Sequence, residues 1–151
     1  MATTNAPGTN ATPTLRVQVR RVLDAPPERV FQAWTTPEDL TRWHAPAPAT
    51  CVLAEVDLRV GGAYRIHMRE PNGVEHRHHG TYRVIEPPRR LIYSWNQFGD
   101  DVADTVVTIE CIPQGTGTEL VLTHEGFLSE DRRASHEHGW TSIFDRIGDA
   151  L

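Results

Sequence analysis

The sequence predicts an α+β domain in which one antiparallel sheet packs against one long helix. Three observations lead there. Six stretches between residues 50 and 126 alternate apolar and polar residues, the pattern of half-buried strands. Turn-forming residues separate them by loops too short for parallel crossovers. The chain then closes on residues 129–151, where apolar residues recur with a period near 3.6.

Each element has its own justification. Residues 1–14 are uncharged and consist of Ala, Thr, Asn, Pro, Gly and one Met. They bury too little to offset their ordering entropy, so a disordered N-terminal tail is expected. Leu15, Val17 and Val19 then alternate with Arg16, Gln18 and Arg20 as a first strand, which Asp24-Ala25-Pro26-Pro27 breaks. Val30, Phe31 and Trp34 form one stripe of a helix over residues 28–34, with Pro27 suited to its start. Thr36-Pro37-Glu38-Asp39 opens a second short helix: a hydroxyl N-cap, Pro at the first position, and acids where the helix dipole favours them. Leu40 and Trp43 share a face of it.

Six strands are expected at residues 50–58, 62–70, 75–86, 89–98, 104–113 and 117–126. The breaks are Gly61-Gly62, Pro71-Asn72-Gly73, Pro87-Pro88, Gly99-Asp100-Asp101 and Gln114-Gly115-Thr116-Gly117. Gly61-Gly62 reads as a sharp bend, not a phosphate loop, because no GxGxxG precedes a helix. Ser129, Glu130 and Asp131 start the last helix, whose stripe is His136, Trp140, Ile143, Phe144, Ile147 and Leu151. That helix is the one element large enough to cover the sheet.

Composition excludes whole classes of function. The 151 residues carry a net charge of −5, and all 15 basic residues are Arg. Without Lys there is no Schiff-base chemistry and no Walker-type phosphate Lys. The acidic balance and scattered Arg argue against nucleic acid as a partner. No apolar run approaches the ~20 residues of a membrane span, and the start has neither a basic nor an apolar leader segment. No membrane insertion is therefore expected, and a cytoplasmic location is. Cys51 and Cys111 form no CxxC pair and are expected as reduced strand residues.

Four local features resemble the START-like or SRPBCC superfamily, and within it the branch related to the C-terminal domain of the heat-shock protein 90 ATPase activator. They are Pro27 to Thr35 with Pro37-Glu38-Asp39-Leu40 and Trp43; Val60-Gly61-Gly62-Ala63-Tyr64-Arg65; Gly80-Thr81-Tyr82 leading to Pro87-Pro88 and residues 89–95; and residues 120–127 with His136-Glu137-His138-Gly139-Trp140. Their order and spacing, more than any one piece, carry the resemblance, which spans residues 15–151 as one domain. It implies a helix-grip fold: a seven-stranded antiparallel sheet wrapped around the long C-terminal helix, with two short helices between the first and second strands. It further implies an apolar cavity between sheet and helix, a feature superfamily members use for lipid carriage, hormone sensing or polyketide cyclisation. The chaperone activator also has a separate N-terminal chaperone-binding domain, which is not expected within these 151 residues.

Alternation assigns the residues facing that cavity. Tyr64, Ile66 and Met68 point in, with Arg65, His67 and Arg69 opposite. His76, His78, Tyr82 and Val84 share the next inward face; Trp95 accompanies Leu91 and Tyr93, and His124 accompanies Leu120 and Leu122. His136, Trp140 and Phe144 close the space from the helix. The expected ligand-binding set is therefore Tyr64, Ile66, Met68, His78, Tyr82, Trp95, His124, His136, Trp140 and Phe144, an aromatic wall with a few polar heads. The run His76-Arg77-His78-His79 reads as solvated or hydrogen-bonded histidines: nothing completes a metal site, and no cofactor is expected. His124 and His136 are the candidates for acid–base catalysis, since imidazole titrates near neutral pH. Glu110 and Glu125, the nearby carboxylates for a base–orienter pair, fall on the solvent face.

The leading expectation is a domain binding an apolar or aromatic, lipid-like small molecule. The alternatives are a polyketide cyclase or dehydratase-like enzyme using a cavity histidine, and a co-chaperone-type interaction module. The partner of the last would be a chaperone surface or a second copy of the chain.

Overall fold

The computed structural model describes residues 15–97 and 105–151. The tail expected over residues 1–14 and the turn at Gly99-Asp100-Asp101 lie outside the described residues. The element order is β1 (Leu15–Leu23), α1 (Pro27–Thr35), α2 (Pro37–Trp43), β2 (Thr50–Val56), β3 (Ala63–Arg69), β4 (Glu75–Glu86), β5 (Arg90–Gln97), β6 (Thr105–Gln114), β7 (Gly117–Phe127) and α3 (Glu130–Ala150). The strands form one seven-stranded sheet in the order β1-β7-β6-β5-β4-β3-β2, every pair antiparallel. The consecutive meander β2 to β7 follows from the short turns, and β1 closes it by pairing with β7.

The helices occupy one face of this sheet. α3 lies against β1 and β7, α1 against β6 and β7, and α2 against β2 and α3. Its stripe of Trp140, Ile143, Phe144 and Ile147 is fully buried, which is why this helix is the gripped element. Ser129 caps it by accepting from the Arg132 amide at 3.2 Å.

Two local expectations are corrected. Thr36 does not cap α2 with its hydroxyl. It is the single residue between two helices, so its amide already bonds the Gln32 carbonyl of α1 while its carbonyl accepts from Leu40 of α2. The junction is instead held by Arg29, which forks onto both carboxylate oxygens of buried Asp39 at 3.1 and 3.2 Å. Val84 does not share the inward face of Tyr82. The β4–β5 register shifts between Tyr82 and Val84, which pairs Val84 with outward Ile92 and brings Ile85 against the core instead.

Two glycines shape the interior. A side chain on Gly80 would lie 2.0 Å from the Ser94 carbonyl; without one, Tyr64 across the ladder reaches that carbonyl at 2.6 Å. Gly126, at φ 103°, sits where the β1–β7 register shifts, and the bulge turns Phe127 inward onto the His124 ring, 4.4 Å away between centroids.

Candidate functional site

The aromatic interior divides into two ends. At one, Tyr64, Tyr82 and Tyr93 pack ring against ring, with centroids 5.2 to 6.0 Å apart. Tyr93 accepts from the Trp34 indole at 3.1 Å. Burial pushes the Tyr82 and Tyr93 hydroxyls well above the usual phenol range. A void of only about 10 Å³ remains there, bordered also by Ile66, Leu40 and Leu91.

At the other end the same sheet and helix carry imidazoles. His44, just past the last turn of α2, is 1% exposed, and its ring contacts all four tryptophans of the chain. Neither of its nitrogens has a hydrogen-bond partner, and burial lowers its pKa to about 4. His78 of β4 stacks on Trp95 of β5 at 4.1 Å. Its Nδ1 is also buried without a partner, and desolvation, reinforced by neighbouring histidines, lowers its pKa to about 3.

His124 of β7 is fully engaged. Its Nδ1 accepts from the Trp140 indole at 2.9 Å, so its proton sits on Nε2, 2.7 Å from the Thr105 hydroxyl, which in turn donates to the Trp95 carbonyl at 2.8 Å. Desolvation first, then His136 and His78, lowers its pKa to about 2. His136 of α3 donates from Nδ1 to the Arg132 carbonyl at 2.8 Å and accepts at Nε2 from the Trp95 indole at 3.4 Å. Glu110 and Glu125 contact neither histidine through any of these bonds; Thr105 and Trp140 hold the place of an orienting carboxylate.

This end opens into a cleft of about 300 Å³. Trp95, Trp140, Met68 and Ile143 form apolar walls, and residues 46–49 form the opposite rim. His76, His78 and His136 supply polar edges, with Glu70 bonded to His76 at 2.5 Å. The rim is tied to α3: Arg146 donates to the carbonyls of Ala45 and Ala49 at 2.8 and 2.6 Å, and Ser142 accepts from the Ala47 amide at 2.9 Å. Among the described residues no group of His, Cys, Asp or Glu is arranged to hold a metal ion.

The structure thus separates the expected ligand-binding residues. Met68, His78, Trp95, His136 and Trp140 line the cleft. Tyr64, Ile66 and Tyr82 border the filled end, Phe144 is packed edge-on against Trp34, and His124 sits behind Trp140. Sequence reasoning missed His44, although Leu40, Trp43 and His44 continue the spacing of one helical face and that signal was readable. It also missed the rim at residues 46–49, which carries no periodic pattern.

A family model described as Activator of Hsp90 ATPase homolog 1-like protein matches residues 24–151. Protein CV1439 from Chromobacterium violaceum is similar at 29% identity and a TM-score of 0.82, over 89% of this chain and 94% of that one. Protein NE0264 from Nitrosomonas europaea is similar at 26% identity and 0.78, over 91% and 94%. The AHSA1 protein from Silicibacter pomeroyi shares the fold at 22% identity and 0.80, over 89% and 96%. No curated protein matches the sequence.

Proposed function

This chain belongs to the family of the Activator of Hsp90 ATPase homolog 1-like proteins, and from that premise we propose that it is a small-molecule-binding domain whose ligand occupies the cleft at the histidine end. The observation that carries this reading is the cleft itself: about 300 Å³ walled by Trp95, Trp140, Met68 and Ile143, with His78 and His136 as polar edges. The size and the apolar walls suit an aromatic or lipid-like molecule.

Binding fits the site better than acid–base turnover. His124 has its one lone pair committed to Trp140, and burial keeps it neutral far below physiological pH. No helix among the described residues is long and apolar enough to cross a membrane.

Native mass spectrometry of the purified protein, followed by organic extraction, tests the reading. A released apolar molecule whose readdition perturbs the Trp95 and Trp140 indole resonances is the expected result. Release of a molecule that leaves both indoles unchanged would place binding elsewhere and overturn it.

A further inference from the structure

The division of the cleft's polar groups into engaged and free ones narrows the chemistry of its ligand, given the small-molecule reading on which this inference rests. The donors of the walls are engaged within the protein. The indole N–H of Trp140 goes to His124 Nδ1 at 2.9 Å, and that of Trp95 to His136 Nε2 at 3.4 Å. On the rim, Pro46 and Pro48 have no N–H. The amides of Ala47 and Ala49 donate to the Ser142 hydroxyl and the Pro46 carbonyl at 2.9 and 2.8 Å. Ser135 and His138 of α3, exposed at the cleft, can donate or accept and so favour neither kind of ligand.

The acceptor side is different. Glu70 lines the cleft with its side chain 42% exposed. His76 bonds one carboxylate oxygen, Oε2, at 2.5 Å, while Oε1 has no partner among the described residues and is open to solvent. No arginine lines the cleft, and the chain has no lysine. Arg69 and Arg77, the sequence neighbours of Glu70 and His76, turn instead onto Glu75 at 2.6 and 3.3 Å. Glu70 is therefore a carboxylate with no guanidinium beside it. An entering anion would meet like charge and no free wall donor, whereas a cation would gain a charge-assisted hydrogen bond. Met68, Ile143 and Pro48 supply apolar surface for the rest of the molecule.

We infer that the cleft takes an organic ammonium ion with an apolar body, whose N–H donates to Glu70 Oε1 while its hydrocarbon part lies against Met68, Ile143 and Pro48. Calorimetric titration at about pH 8, where a free imidazole is neutral and an alkylammonium is still charged, provides the test. The probes share one shape: 2-phenylethylamine, 2-phenylethanol and 3-phenylpropionate. The amine should bind about fivefold more tightly than the alcohol, and the carboxylate about fivefold more weakly than the alcohol. In Glu70→Gln the amine should fall to within about twofold of the alcohol, with both still bound. Should that variant fail to fold, the Glu70 carboxyl carbon resonance of the unaltered protein must shift with the amine and stay with the alcohol. Equal binding of amine and carboxylate, or an amine advantage that survives in Glu70→Gln, would overturn the ammonium inference while leaving the cleft occupied. Failure of all the probes to bind would instead defeat the cleft reading and the inference with it.

Discussion

The tyrosine end and the histidine end of this interior are built by the same strands and the same helix layer, yet only one is closed. At the tyrosine end, Tyr64 bonds the Ser94 carbonyl and Tyr93 bonds Trp34, and a void of about 10 Å³ is left. At the histidine end, His44 and His78 keep buried nitrogens without partners, and His78 lines a cleft of about 300 Å³. A hydroxyl on a long ring can reach past its neighbours to a backbone carbonyl. An imidazole is shorter and has two nitrogens to satisfy: His124 finds Trp140 and Thr105 for them, whereas His44, enclosed by ring faces, finds neither. The difference teaches where to look for function: the stabilised end holds the fold, and the end carrying unmet polar groups is where the proposed ligand site lies.

Acid should break the comparison first. Unfolded imidazoles protonate near pH 6.5, whereas His44, His78 and His124 do so in the fold only near 4, 3 and 2. Because the unfolded chain then binds more protons, their contribution is intact above about pH 6.5 and is lost as pH falls toward the folded values. Each imidazole should cost about 2 kcal/mol by pH 5, before carboxylates with ordinary values near 4.5 are titrated. Urea unfolding at about pH 8 and pH 5 measures this, and a flat profile would mean that these rings are wet in solution.

The next effect belongs to the closed end. Tyr93→Phe leaves the buried Trp34 indole N–H without its acceptor and should destabilise by about 1–3 kcal/mol. Ligand affinity at the cleft should not change, since Tyr93 does not line it. A parallel loss of affinity would show that the two ends are one site.

The smallest effect sharpens the contrast. His44→Phe replaces a ring that makes no side-chain hydrogen bond with one that stacks on the same indoles. Stability near pH 7 should stay within about 1 kcal/mol of the unaltered protein, or rise. The acid dependence should lose the share that His44 contributes. A larger loss would show that the His44 nitrogens are satisfied after all.

Much of this was legible beforehand. The strands, the paired short helices and the final helix follow from period-two and period-3.6 patterns with explicit turn residues, and local physics decides those. The inward alternation of Tyr64, Ile66 and Met68 is likewise a property of one strand. Val84 escaped that reading, because a bulge depends on how two strands pair. Thr36 escaped it because its backbone serves two helices at once.

Residue types and spacing by themselves determined that this chain is an antiparallel sheet gripping one helix, with aromatics and histidines turned inward. Tertiary structure alone decided which of those rings bond one another and which do not. His124 meets Trp140 and Thr105, His78 meets the face of Trp95, and His44 meets four indoles. The reason is physical: periodicity states which face a side chain takes, but hydrogen bonding requires a partner within about 3 Å along one direction, and that is set by elements far apart in the chain.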